Sequence, residues 1–340
     1  MSSQEQQPAP VPTLENSSVS SAQVRESVSA SAENPIVRFR STQDWYTFLH
    51  SNPTPEVDGD RLREFRSRCY AEIEALRGRP LIVYAARFLD QTQLPSSIAL
   101  DDIEGFTDLV NAIPAAHESI DVLLHSPGGD PNATERIVGI LRNRFREVHF
   151  IIPHSAYSAA TMLALSGNEI TLHSSATLGP IDPQLDGIPA RSIINGFENA
   201  KQKIQLEGPE TLPAYVPLLQ KLDLHLLEIC EDADKLSKQL VTTWLTNYMF
   251  AGKQDVETVR ITEIVEYFSS YDDHMTHSRP LHYGKIAQLG VMINQPTGRL
   301  RDLIWETFIL INIFFGNTGF YKLYENNYGI SWGRQQVLQP

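Results

Sequence analysis

Between Leu81 and His173 the chain alternates short apolar runs with stretches of helical periodicity. Leu81–Ala85, Asp121–His125, Val148–Ile152 and Glu169–His173 are runs of five residues, the length of a buried strand. Between them, Ile103–Ile113 and Thr134–Phe145 space their apolar residues three and four apart. In the second, Ile137, Ile140, Leu141 and Phe145 fall on one face. Ser158–Leu165 reads as a short helix of small and apolar residues, and Gly167-Asn168 turns the chain after it. Strands that alternate with helices predict a mostly parallel sheet, because each crossover returns the chain to pair in the same direction.

The flanks read differently. Residues 1–34 are rich in Ser, Gln, Glu, Pro and Ala and nearly free of aromatics, so they cannot bury enough apolar surface to offset their ordering entropy, and disorder is expected. Residues 35–80 read as a helical extension. Leu62, Phe65, Tyr70, Ile73 and Leu76 form a helical stripe, ended by Gly78 and Pro80. The strand-and-helix body is expected over 81–295, with 209–267 mostly helical. A C-terminal helix and tail follow over 296–340, and the Tyr-, Asn- and Gly-rich end from Asn317 has no assignable pattern. The most apolar stretch, Leu303–Phe315, is too short to span a bilayer and reads as a buried helix. No basic segment followed by an apolar one opens the chain, so a cytoplasmic location is expected, with attachment to a membrane surface as the alternative.

Charge and cysteine content narrow the chemistry. A formal net charge of −13 disfavours binding to phosphate backbones, so no nucleic-acid partner is expected. Cys69 and Cys230 stand far apart without CxxC or Cys/His spacing, which argues against a zinc site or disulfide framework. No GxGxxG follows a strand and no GxxxxGK[ST] occurs, so neither a nicotinamide cofactor nor an intrinsic ATPase is expected.

Two motifs remain. Ser126-Pro127-Gly128-Gly129-Asp130 joins a strand to a helix. Paired glycines can be an ordinary tight turn, or they can bare two N–H groups to a substrate carbonyl. About thirty residues on, His154-Ser155-Ala156-Tyr157-Ser158-Ala159-Ala160 delivers a serine to the first turn of a small-residue helix. There Ser158 is either a capping residue or a nucleophile set in the positive field of a helix N-terminus. Ser155, in the connector, is the rival.

Together the motifs resemble the ClpP/crotonase superfamily, and within it the serine dehydrogenase proteinase family, relatives of signal peptide peptidase A. The matching blocks are Leu123–Asp130, Ser155–Gly167, Leu178-Gly-Pro-Ile-Asp-Pro-Gln184, His277-Ser-Arg-Pro280 and Leu289-Gly290-Val291. The resemblance implies an α/β fold of the ClpP/crotonase type, a spiral of βα units with a helical C-terminal part. It also implies serine-peptidase activity on peptides or proteins, and a homo-oligomer. Ser158 would be the nucleophile, and the N–H groups of Gly128 or Gly129, with that of Ala159, the oxyanion donors.

A serine needs a proton acceptor. Clp peptidases use histidine and aspartate, but no histidine occurs between His173 and His225. Relatives of peptidase A use a lysine forty to fifty residues after the serine, where Lys201 and Lys203 stand. On the expected helix from Ala190 to Gln205, Lys201 falls within the arc of Ile193, Ile194, Phe197, Ala200 and Ile204, whereas Lys203 falls outside it. A lysine against an apolar surface loses hydration and becomes a better base, so Lys201 is the expected base and Lys203 the second choice. Asp182 would orient the lysine, line the pocket or cap the turn before Pro183. Two other functions stay open: a crotonase-like acyl-CoA enzyme using the same oxyanion donors, and a non-catalytic scaffold of the same fold.

Overall fold

The computed structural model describes residues 37–51, 59–90, 93–219, 224–252 and 254–336. The expectation for residues 1–34 falls outside this range. The described chain from Arg38 onward belongs to one compact unit.

Two helices, α1 (Thr42–Ser51) and α2 (Gly59–Arg77), precede the first strand, β1 (Leu81–Ala86). The alternating body follows as α3 (Asp102–Asn111), β2 (Ser119–His125), α4 (Pro131–Arg144), β3 (Glu147–Ile152), β4 (Ser155–Ala156), α5 (Ala159–Leu165), β5 (Glu169–Leu172) and β6 (Thr177–Leu178). A small hairpin, β7 (Gln184–Leu185) and β8 (Ile188–Pro189), leads into a helical stretch. It comprises α6 (Ala190–Glu207), a 3-10 turn (Pro209–Thr211), α7 (Leu212–Leu219), α8 (Leu224–Trp244) with a π-helical end (Leu245–Met249), and α9 (Gln254–Ser269). The chain closes with α10 (Tyr271–His274), α11 (Tyr283–Gln288), β9 (Ile293–Asn294), α12 (Gly298–Asn317), β10 (Phe320–Asn326) and β11 (Ser331–Gln335).

The main sheet has seven strands in the order β11-β10-β1-β2-β3-β5-β9. From β1 to β9 all pairings are parallel, as the strand-and-helix rhythm predicts. Every residue of β1, and all of β2 except its first, is buried, which is why these strands read as continuous apolar runs. Helix α4 starts where the sequence supplies both signals: the Asp130 side chain accepts the Asn132 N–H at 2.8 Å, and Pro131 occupies the first turn. Helix α12 is a largely buried helix over the apolar stretch. Among the described residues no helix is long and apolar enough to cross a membrane.

The tail without sequence pattern is an antiparallel hairpin added to the sheet edge, with β10 paired to β1. Buried charges hold it. Arg66 of α2 grips Glu325 through two hydrogen bonds of 2.8 and 2.7 Å, and Tyr70 donates to the same carboxylate at 2.7 Å. Lys322 donates to Asp102 at 2.9 Å, and Tyr324 bonds the other oxygen of that carboxylate.

A second, smaller set of pairings lies at the C-terminal ends of the parallel strands. Ile98 bridges Gly129, Ser126 bridges Ala156, β4 pairs with β6, and Leu178 bridges Leu281. This row stitches five loops together, and the candidate site is built on it. In parallel sheets the loops at this end converge, so distant segments meet there.

Candidate active site

Ser158 sits between β4 and α5 with φ 52° and ψ −125°. A non-glycine residue in this region costs about 1–3 kcal/mol, and such strain concentrates at functional sites. The sharp strand-to-helix turn that presents a serine in hydrolases has the same character. The Ser158 side chain makes no capping hydrogen bond to the helix, so the capping role open in the sequence is not the one it plays.

The glycine pair lies against this turn. A Cβ on Gly128, whose φ is +93°, would meet the Tyr157 carbonyl oxygen at 2.3 Å and Ser158 Cβ at 2.6 Å. A Cβ on Gly129 would meet the backbone of Ile98 at 2.2 Å. Both positions therefore require glycine, because backbone comes too close for any side chain. The bridge to Ile98 uses the Gly128 carbonyl and the Asp130 N–H, at 2.7 and 2.8 Å. The Gly128 N–H points to Ser126 Oγ at 3.2 Å. Among the described residues neither the Gly129 N–H nor the Ala159 N–H has a hydrogen-bond acceptor. Two bare donors flank the serine.

Asp182 and His277, 95 residues apart, meet in the same place, with Nδ1 of His277 2.8 Å from Oδ1 of Asp182. Asp182 is 2% exposed and the His277 side chain 21%. Their meeting follows from the stitched row. The Ile181 N–H donates to the Phe268 carbonyl at 2.8 Å, and Leu178 and Leu281 exchange two backbone bonds of 3.1 and 2.8 Å. The segments carrying Asp182 and His277 are thus fastened side by side. A carboxylate accepting from Nδ1–H fixes the tautomer that leaves Nε2 with its lone pair.

One cavity of about 450 Å³ collects these groups. Gly128, Gly129, Ser158, Ala159 and His277 line it, together with Met162, Ile181, and Ala233 and Ser237 of α8. Asp182 lies buried behind His277.

The lysines lie elsewhere in character. Helix α6 forms where expected, but Ala190 is the only buried residue on it. The Lys201 side chain is 55% exposed and pairs with Glu198 at 3.5 Å, and Lys203 is exposed. Neither lysine lines the cavity. The dehydration expected to turn Lys201 into a base is absent, because the apolar arc that contains it is only partly covered.

Ser155, the rival serine, is fully buried, and its hydroxyl lies 2.7 Å from Nδ1 of His154. It does not line the cavity. His154 in turn stacks on Phe308 of α12, with ring centroids 4.7 Å apart. Nearby His125 is buried against Phe88 and Phe308, and burial, aided by repulsion from His154, pushes its pKa down to about 3. Both rings contact Ser155, and burial lowers the pKa of each. Both cysteines are buried and unpaired, and burial pushes the Cys69 thiol up to about 12, which suits a packing role. Among the described residues no group of His, Cys, Asp and Glu is placed to hold a metal ion.

Sequence reasoning missed His277 as a possible base. The signal was present in the block His277-Ser-Arg-Pro280, but a search confined to the residues soon after the serine passes over it. Comparison with known proteins agrees with the fold. One uncharacterized protein of Methanocaldococcus jannaschii is 30% identical over 232 residues, which is 67% of this chain and 71% of the relative. A second from the same organism is 29% identical over 170 residues, 48% of this chain and 59% of that relative. Residues 34–305 match the family described as ClpP-like SDH-type serine proteinases, and the chain belongs to that family.

Proposed function

We propose that the protein is a serine peptidase in which Ser158 is the nucleophile, His277 the general base and Asp182 the group that orients it. The observation that carries this reading is the Asp182–His277 pair at the wall of the cavity lined by Ser158 and the glycine pair. The segment 81–295 is the catalytic body, peptides or proteins are the substrates, and the cytoplasm and a homo-oligomer are the expected setting.

The steps follow from the groups available. His277 Nε2 takes the proton of Ser158 Oγ as the oxygen attacks the peptide carbonyl carbon. The carbonyl oxygen becomes an oxyanion, and the N–H groups of Gly129 and Ala159 stabilise it because they carry no other hydrogen bond. The C–N bond breaks as the imidazolium returns the proton to the departing amine. Water, deprotonated by His277, then cleaves the acyl ester and restores Ser158. Asp182 holds the ring and balances the imidazolium charge; it keeps its own charge throughout. Exposed and paired with Glu198, Lys201 is the weaker candidate for the base.

A fluorophosphonate probe followed by peptide mapping tests the reading. The adduct is expected on Ser158, and labelling is expected to vanish in Ser158→Ala. An adduct on Ser155, or labelling that survives Ser158→Ala, sinks the nucleophile. No labelling together with measurable coenzyme A binding favours the acyl-CoA alternative, and neither property favours a scaffold.

A further inference from the structure

Thr161 lies one turn into α5, three residues after the strained serine, and is completely buried. Its hydroxyl donates to the Ala156 carbonyl at 2.7 Å and accepts the Gly179 N–H at 3.1 Å. The same Gly179 N–H also reaches the Ala156 carbonyl at 3.1 Å. The three groups form a closed triangle. One corner is two residues before Ser158, one is three residues after it, and the third is three residues before Asp182.

This placement has two consequences. The Thr161–Ala156 bond spans Ser158 and closes a short ring over it, so it holds the φ 52° turn against relaxation. The Thr161–Gly179 bond ties the body of α5 to the segment that carries Asp182. The backbone pairing of β4 with β6 fixes only the approach to Ser158, on the strand side of the turn. Beyond the turn, among the described residues, the hydroxyl of Thr161 makes the hydrogen bond that joins the helix to the segment carrying Asp182.

We infer that Thr161 is a positioning residue of the hydrolytic site, setting Ser158 relative to the Asp182–His277 pair through its two hydrogen bonds. The inference rests on the proposed Ser158–His277–Asp182 reading. It also separates position from stability. If the hydroxyl is replaced by a methyl group of the same shape, Ala156 and Gly179 keep their bond to each other, so no buried donor or acceptor is stranded. Relief of the turn offsets the loss further. The effect should therefore fall on the reaction and not on folding.

The experiment compares wild type, Thr161→Val and Thr161→Ser in the full chain. It measures the rate of fluorophosphonate labelling across probe concentration, which separates the maximal rate from the half-saturating concentration. A displacement of the reacting atoms by a fraction of an ångström predicts that Thr161→Val lowers the maximal rate about tenfold to a hundredfold. The half-saturating concentration should stay within about twofold, since probe binding does not use this hydroxyl. Thr161→Ser, which keeps both bonds, should return the rate to within about threefold of wild type. Melting temperatures should stay close to wild type in both. Labelling by Thr161→Val at the wild-type maximal rate overturns the inference. So does a Ser variant as slow as the Val variant, or a rate loss that only follows a loss of folded protein. Labelling of wild type that persists in Ser158→Ala would instead remove the underlying reading, so the two failures are distinguishable.

Discussion

The row of loops around Ser158 and the C-terminal hairpin are built on opposite principles. The loops are held by short backbone pairings, such as Ile98 with Gly129 and Leu178 with Leu281, with a threonine hydroxyl as the added clamp. The strained Ser158 sits beside the bare donors. The hairpin adds buried charge to its backbone ladder on β1: Arg66 on Glu325, and Lys322 on Asp102. Backbone bonds between short segments fix atoms to within tenths of an ångström, which a reacting centre needs. Buried ion pairs cost desolvation, contribute little net stability and are severe to break, which suits a fastening made in one register. Substitutions at the first region that leave its backbone in place should therefore change rate and spare the fold. Substitutions at the second should do the reverse.

The strongest separation is expected at the Asp182–His277 pair. His277→Gln and Asp182→Asn should each lower the labelling rate by at least about a thousandfold with little change in melting temperature. Parallel calorimetry and labelling check this, and a variant that unfolds while folded molecules keep full rate breaks the comparison. Next comes Gly129→Ala. Its Cβ would overlap the Ile98 backbone, so the loop must shift and the donor with it. The labelling rate should fall about a hundredfold, the scale of losing one oxyanion donor.

On the other side, Glu325→Leu leaves Arg66 buried and unpaired. It should cost about 3–5 kcal/mol in chemical denaturation, with the rate per folded molecule unchanged. His125 supplies a pH handle. Its folded pKa lies below the unfolded value near 6.5, so it contributes stability that is complete above about pH 6.5. That stability is lost as pH falls toward 3. Replacement by Phe should flatten the acid limb of the stability curve, as measured by melting temperature between pH 7 and 4. The smallest effect is expected for Lys201→Ala, whose rate and stability should both stay near wild type because an exposed pair contributes little.

The same contrast explains what the sequence disclosed. Strands such as Leu81–Ala86 and the helix Pro131–Arg144 carry local signals, namely apolar runs, a capping aspartate and a proline in the first turn. The glycine pair and Ser158 were legible because each lies at a strand-to-helix junction, where local spacing carries meaning. The hairpin was not, because what holds it is a set of contacts more than 200 residues apart, such as Arg66 with Glu325. The Asp182–His277 contact was hidden for the same reason: two bridged segments bring together residues that no periodicity relates. Lys201 illustrates the limit of a helical arc. The arc locates the apolar side of α6, but whether anything covers the lysine depends on tertiary packing.

The proposed function turns on His277, held by Asp182, as the group that activates Ser158. The most direct measurement is the fluorophosphonate labelling rate of wild type, His277→Gln and Lys201→Ala, compared side by side in folded protein. Near-complete loss is expected in His277→Gln and a wild-type rate in Lys201→Ala. A wild-type rate in His277→Gln with loss in Lys201→Ala would contradict it.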